Sequence, residues 1–491
     1  MLHGRGAAWL ALAAGLWSGA WLAPAASAGA QAERAIAAAK QLVAAGEVKP
    51  GTVLRLTVKQ GNIAAFLGRG YELQNEWERR TGILIDANVM PQLDSLEFVR
   101  RAAGVDLTVA RNHEYPDLYD AGLIEDLAPY LRRFGFSLSE DGGDGFFLLD
   151  RQAYFGERLV AIPADGDVAI LYLRRDLLED PAQRARFKER YQRELKAPRT
   201  WREYQELVEF FHKPEAGFYG SLEPRERLTG WMYWMPRYAS LAFPNQYLFD
   251  DQMRPLIDSP AGVAATESYV ATVPFSPPDI LTEGKDYNYT LPLFVRGNGF
   301  ATILTMAGAK IFRLENSAVR DKFMAVPMPG HRVGGRLQRR TTLIYGNNLI
   351  IPRSAPNKAL AFLYAMWLTD ADVSARSVSV PGGFADPYRY NHLRDERIRS
   401  TYTPQALDNL RGELPVVTPS GTGVPGDAEY LAVLNDHLAL AARREISPGE
   451  AMARTARAWE AITERRGRAQ QIAHWQAFKK RYPPDGNGAA R

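Results

Sequence analysis

The stretch Gly156 to Pro181, GERLVAIPADGDVAILYLRRDLLEDP, sets two short apolar strands on either side of an Ile-Pro-Ala-Asp-Gly-Asp crossing and then starts a helix. It reads as a strand leaving one lobe and entering another. The same grammar recurs around it, with strand, helix and strand upstream and an apolar strand, proline and amphipathic helix far downstream. Two lobes joined by several crossings enclose a cleft that can close.

Upstream, Leu54, Leu56 and Val58 alternate with Arg55, Thr57 and Lys59, the period of a half-buried strand. Gln60-Gly61-Asn62 turns it into a helix whose Phe66, Leu73 and Trp77 share a face and which stops at Thr81-Gly82. Ile83, Ile85, Ala87 and Val89 give a second strand, and Val105 to Ala110 a third, apolar enough for the middle of a sheet. Strand, helix and strand in this order predict a parallel sheet covered by helices, with ligands at the strand carboxyl ends. Downstream, Val168 to Leu173 is a strand, Asp176 to Lys196 a charged helix or helix pair, and Thr200 with Glu203 a capping box. Gly230 to Phe249 is dense in aromatics, as a core helix or a pocket wall would be. Phe300 to Leu304, Phe323 to Val326 and Leu343 to Ile351 are short strands, and Leu360, Leu363, Tyr364 and Trp367 share a face of a later helix. Helices near Asp427 to Arg443 and Ser447 to Glu464 close the body.

Residues 1–28 carry an apolar run from Ala7 to Leu22 and the small-residue site Ala26-Ser27-Ala28, the parts of a cleavable signal peptide. The chain has no cysteine, which removes disulfides, thiol nucleophiles, thiolate metal sites and a lipidated anchor. An unlipidated periplasmic protein is expected. Sixty basic residues nearly balance 56 acidic ones in no concentrated arm, which argues against nucleic acid as a partner. The seven histidines show no metal-ligand spacing, and neither a G-x-S-x-G elbow nor a Walker loop occurs, so no enzyme is expected, no cofactor and no metal site. Asp141-Gly142-Gly143-Asp144 lacks the full register of a calcium loop, and Tyr287-Asn288-Tyr289 is too weak for an iron-capture pair.

Nine fragments carry a resemblance in order along the chain. They are FLGRGYELQNEWERRTGILID, DLTVARNHEYPDLYDAGLIEDLAPYL, RLVAIPADGDVAILYLRRDLL, PRTWREYQELVEFF, PLIDSPAGVAATESYV, LFVRGNGFATIL, FMAVPMPG, NNLIIPRSAPNKALAFLYAMWLTD and EISPGEAMARTARAWEAI. Together they resemble the extracellular solute-binding proteins of ABC importers, in the carbohydrate-binding group that includes maltose-binding protein. The resemblance implies an α/β, two-lobed periplasmic-binding-protein fold of type II, each lobe an open, mostly parallel sheet covered by helices. It implies crossings near Ala164, Thr342 and Pro381. The expected division is signal peptide 1–28, leading helix or linker 29–50, lobe one 51–163 and 345–380, lobe two 164–342 and 383–482, and disordered tail 483–491. The implied function is monomeric capture of a sugar or sugar-like solute for an inner-membrane permease. A polyol, a small organic metabolite or a polyamine in the same cleft is the alternative, with metal capture or catalysis behind it.

Hydroxyl groups and apolar ring faces call for planar polar side chains and flat aromatics. Lobe one offers Gln60, Asn62, Arg111, Asn112 and His113, and the crossing offers Asp165 and Asp167. Trp231, Tyr233 and Trp234 come from the aromatic belt, and Tyr345, Asn347 and Asn348 from later turns. Trp231 and Trp234 serve equally as core, Asp165 as a backbone cap, and Arg111 as half of a salt bridge. Thr305-Met306-Ala307-Gly308 stands where relatives often have a stacking tryptophan, which points to a ligand smaller or less ring-like than an oligosaccharide.

Overall fold

Alternation of apolar and polar residues decides lobe one. The computed structural model describes residues 29–90, 95–140 and 143–484; the expected signal peptide and residues 485–491 lie outside them. Three strands, β1 (Val53–Val58), β2 (Leu84–Val89) and β3 (Leu107–Arg111), pair in parallel about β1. Leu54, Leu56, Val58, Leu107 and Val109 are buried from them. Trp77 packs edge-on to Tyr364 at 5.1 Å, joining the covering helices Glu72–Thr81 and Lys358–Leu368. Where one helix was expected after β1, there are two, Ile63–Leu67 and Glu72–Thr81, because Gly68 turns to φ 84° and Tyr71 to φ 62°. The Lys358–Leu368 helix is buried from Leu360 through Leu368 and not on one face alone, since the helix Ala30–Ala44 lies across it. That leading helix is no loose spacer: Ala35 and Ala39 are fully buried, and Ala32 N–H donates to Asp370 at 3.1 Å.

Lobe two is built on β4 (Ile170–Arg174), β5 (Tyr219–Ser221), β6 (Gly299–Leu304) and β7 (Phe323–Val326), in the order β5-β6-β4-β7. The expectation of a mostly parallel sheet holds for lobe one. In lobe two β4 runs antiparallel to both β6 and β7, and only β5 and β6 are parallel. The reason is that β4 enters from the other lobe, opposite in direction to strands that begin within lobe two. Its alternate residues separate two cores, with Ile170 and Tyr172 facing one and Leu171 and Leu173 the other. The capping box forms as read: Thr200 Oγ1 accepts Glu203 N–H at 3.2 Å, and the Glu203 carboxylate accepts Thr200 N–H at 3.2 Å. A third late helix, Arg468–Lys479, follows the two anticipated. The Pro483 carbonyl accepts from Asn245 at 2.7 Å, so the chain stays packed to that point. No helix among the described residues is long and apolar enough to cross a membrane.

A later strand, β8 (Asn347–Ile350), returns to lobe one and lies antiparallel to β3, setting Asn347 opposite Arg111. The first two crossings therefore run side by side in opposite directions. Ile162 and Leu349 exchange backbone hydrogen bonds of 2.9 and 3.0 Å, and Ile344 N–H donates to the Asp167 carbonyl at 2.9 Å. The third crossing presses on the first at Gly166, where a β-carbon would stand 1.7 Å from the Pro387 carbonyl oxygen, so only glycine fits.

Candidate interlobe binding site

The crossings bring a polar cluster to the seam between the lobes. Asp165 and Asp167 are 1% and 3% exposed, and with the wholly buried Asp386 of the third crossing they set one carboxylate oxygen each within 4.8 Å of the others. Asp165 accepts the Asp386 N–H at 2.9 Å and the Asn62 side-chain amide at 3.4 Å; Asn62 in turn accepts from Asn347 at 3.4 Å. Tyr402 donates to Asp386 at 3.1 Å. Lys310, also buried, donates to the carbonyls of Ala385 at 2.7 Å and Val378 at 3.0 Å. Burial, and then the neighbouring Asp386, push the Asp165 carboxyl up to about 8. Burial and Asp165 push Asp167 well above the usual range, and burial raises Asp386. Burial lowers the Lys310 ammonium to about 8. Three oxygens so close are the donor set of a hard cation, and no other such group occurs among the described residues. Lys310 is a buried cation beside them and acts on both Asp165 and Asp386.

Above this floor stands an aromatic wall. Tyr345, at φ 71°, carries the Arg111 guanidinium 5.3 Å from its ring centre. Tyr287 lies 5.1 Å from the same ring, the Tyr233 hydroxyl is 3.4 Å from the Tyr345 hydroxyl, and Phe384 lies 6.1 Å from Tyr287. Arg111 comes from lobe one, Tyr233 and Tyr287 from lobe two, and Tyr345 and Phe384 from the crossings. His113 meets Trp231 edge-on at 5.2 Å across the seam. Burial drives the His113 imidazole down to about 3, so it is neutral. For Glu114, burial acts upward, but Lys59 and Arg111 hold the carboxylate down at about 2. It accepts the Arg111 N–H at 2.6 Å and the Ser95 hydroxyl at 2.7 Å, which fixes the loop after β3.

Of the residues read from sequence, Asn62, Arg111, His113, Asp165, Asp167, Trp231, Tyr233, Tyr345 and Asn347 gather here. Asn112 turns inward on its loop, its side-chain oxygen accepting the His113 N–H at 3.1 Å. Asn348 points away from the cluster: it accepts the Ala164 N–H at 3.2 Å and donates to Tyr115 at 3.0 Å and to the Gln152 carbonyl at 3.2 Å. Trp234 is lobe-two core, donating to Thr266 at 2.9 Å and stacking on Tyr238 at 4.6 Å. Gln60 begins the turn after β1, and its side chain lies outside the described residues. Sequence reasoning passed over Lys310, Phe384 and Asp386, and set Tyr287 aside. Phe384 and Asp386 directly follow the Gly382-Gly383 crossing, which was the available signal.

The lobes also touch outside the cluster. Asp117 of lobe one accepts from the N–H groups of Gly426 and of Ala428, the latter at 2.9 Å, and so caps the lobe-two helix Asp427–Ala442. Arg481 donates to the carbonyls of Tyr154 at 2.6 Å and Gly156 at 2.7 Å.

Three solved structures share this architecture. A solute-binding protein of an ABC transporter from Agrobacterium radiobacter, in complex with ribitol, matches at a TM-score of 0.68 and 17% identity, covering 84% of this chain and 99% of its own. Maltose-bound T. maritima MalE3 matches at 0.67 and 19%, over 84% and 100%. A solute-binding protein from Agrobacterium vitis with bound D-mannitol matches at 0.65 and 17%, over 85% and 99%. At these identities the likeness carries the fold: two lobes with a seam between them. The sequence model described as bacterial extracellular solute-binding protein matches residues 100–375, more than half of the chain, from the helix Ser95–Arg101 before β3 to the helix Ala371–Val378 before the third crossing. The chain therefore belongs to the bacterial extracellular solute-binding protein family.

Proposed function

We propose that this protein captures a sugar or polyol between its lobes in the periplasm and delivers it to the membrane permease of an ABC importer, working as a monomer exported by residues 1–28. The observation that carries the reading is the convergence of both lobes on one seam. Arg111 and His113 come from the end of β3, Trp231, Tyr233 and Tyr287 from lobe two, and Tyr345 and Phe384 from the crossings. Flat rings suit the apolar faces of a sugar, and the amides and guanidinium suit its hydroxyl groups. Only a ligand that touches both lobes can shift an open and closed equilibrium, since equal affinity for the two states moves nothing. Ribitol, maltose and D-mannitol in the structural neighbours support this solute class.

A thermal-shift screen of sugars, polyols, amino acids and polyamines tests the reading. A true ligand at a hundred times its dissociation constant adds about 2.7 kcal/mol of stability. Shifts confined to sugars or polyols are expected. A shift with polyamines or amino acids alone would replace the reading.

A further inference from the structure

We infer that the solute carries an anionic group, a carboxylate or a phosphate on a sugar or polyol framework, and that Arg111 receives it. The inference rests on the proposed capture of such a solute at the seam. Arg111 stands at the carboxyl end of β3, opposite Asn347 on β8, with its guanidinium over Tyr345. Its Nε is buried and has no hydrogen-bond partner, and among the described residues it makes no ion pair at contact distance, acting on Glu114 only through its field. The Nε atoms of Arg225, Arg237 and Arg376 are likewise buried without a partner, but each of those guanidiniums has a carboxylate, Glu223 for the first two and Glu76 for the third, and Arg111 has no such ion pair. A half-buried guanidinium stacked on one face and unpaired at its edge leaves the planar fork that receives carboxylate or phosphate oxygens.

The surroundings permit an anion. Burial raises Asp165, Asp167 and Asp386, which weakens their repulsion of it, and Lys59 is close enough to pull Glu114 and His113 downward. Glu114 is already held by the backbone of its own loop and by Ser95. Asp286 is the opposing charge on the lobe-two side, and it is engaged in capping its helix, accepting from Asn288 N–H at 2.8 Å and from the Asn288 amide at 3.1 Å. The Tyr233 hydroxyl lies 3.4 Å from that of Tyr345, whose ring meets Tyr287 at 5.1 Å, and burial raises all three phenols, so they stand there neutral.

The test is titration calorimetry on the full mature protein with matched sets: ribitol against D-ribonate, D-mannitol against D-mannonate and D-mannitol 1-phosphate, and D-glucose against D-glucuronate. In at least one set the anionic member should bind about 10- to 100-fold tighter than its neutral partner, as a charge-assisted contact gives. That advantage should shrink as salt rises. Arg111→Gln should close the gap within the set, and Arg111→Lys should restore part of it; the salt series on the unaltered protein stands if either variant misfolds. Neutral members binding as tightly as or tighter than their anionic partners would overturn the inference and leave sugar or polyol capture standing. Failure of every member in every set would overturn the capture reading, and this inference with it.

Discussion

The buried carboxyl cluster makes the stability of this protein fall as pH rises toward 8, and Asp167→Asn should remove part of that dependence. In the unfolded chain each aspartate titrates near about 3.9. In the folded chain Asp165 titrates near 8 and Asp167 and Asp386 are raised, so between those values folding takes up protons that the unfolded chain lacks. The stabilisation is complete below the unfolded value and is lost as pH climbs through the folded one. Its slope is about 1.4 kcal/mol per pH unit for each carboxyl still holding its proton. Three basic groups bound the useful window. His113 and His331, lowered to about 3 and about 4 by burial, give an opposite slope that fades above about pH 6.5. Lys310, lowered to about 8, turns the slope upward beyond that pH. The measurement is urea unfolding followed by tryptophan fluorescence between pH 6.5 and 7.5, for the native chain and for Asp167→Asn. The native protein should lose stability across the window, and the variant should lose about 1.4 kcal/mol less per pH unit. A native stability that is flat or rising, or a variant with the native slope, would refute the reasoning.

Lys310→Met strands three carboxyls without their ammonium and leaves two carbonyls without a donor, so thermal unfolding should show a loss of about 3–5 kcal/mol. A loss under about 1 kcal/mol would mean the cluster is balanced without it. Trp234→Ala should cost about 3–5 kcal/mol of stability while leaving the dissociation constant of any ligand of the seam within about twofold, because this ring fills lobe-two core. Asp117→Ala removes a helix cap that bridges the lobes, so it should weaken ligand binding about 2- to 30-fold in calorimetry, matching the roughly 0.5–2 kcal/mol of a lost cap. An unchanged affinity would place that contact in the open form as well.

Much of the scaffold is legible because local pattern and tertiary role agree. The alternation at Leu54, Leu56 and Val58 and the Thr200–Glu203 box each need only neighbouring residues. Arg111 and His113 are legible for a related reason, since loops at parallel-strand ends face a cleft. Asn348 shows where the reading was too coarse. It stands beside Asn347, yet successive strand residues face opposite ways, so one reaches Asn62 and the other Tyr115. Trp231 and Trp234 divide similarly, one toward His113 and one toward Thr266. Asp386 meets Asp165 only through the third crossing, and no local pattern records a contact between residues 221 positions apart.

The central claim is that the lobes move and that a solute captured between them draws them together. The chain has no cysteine, so two introduced ones, at Asn88 in lobe one and Lys188 in lobe two, accept spin labels at those sites alone. Both positions are exposed. Pulsed dipolar spectroscopy should give a broad or long distance distribution without ligand and a narrower, shifted one at saturation with the solute found by the screen. Identical distributions at saturation would contradict the account.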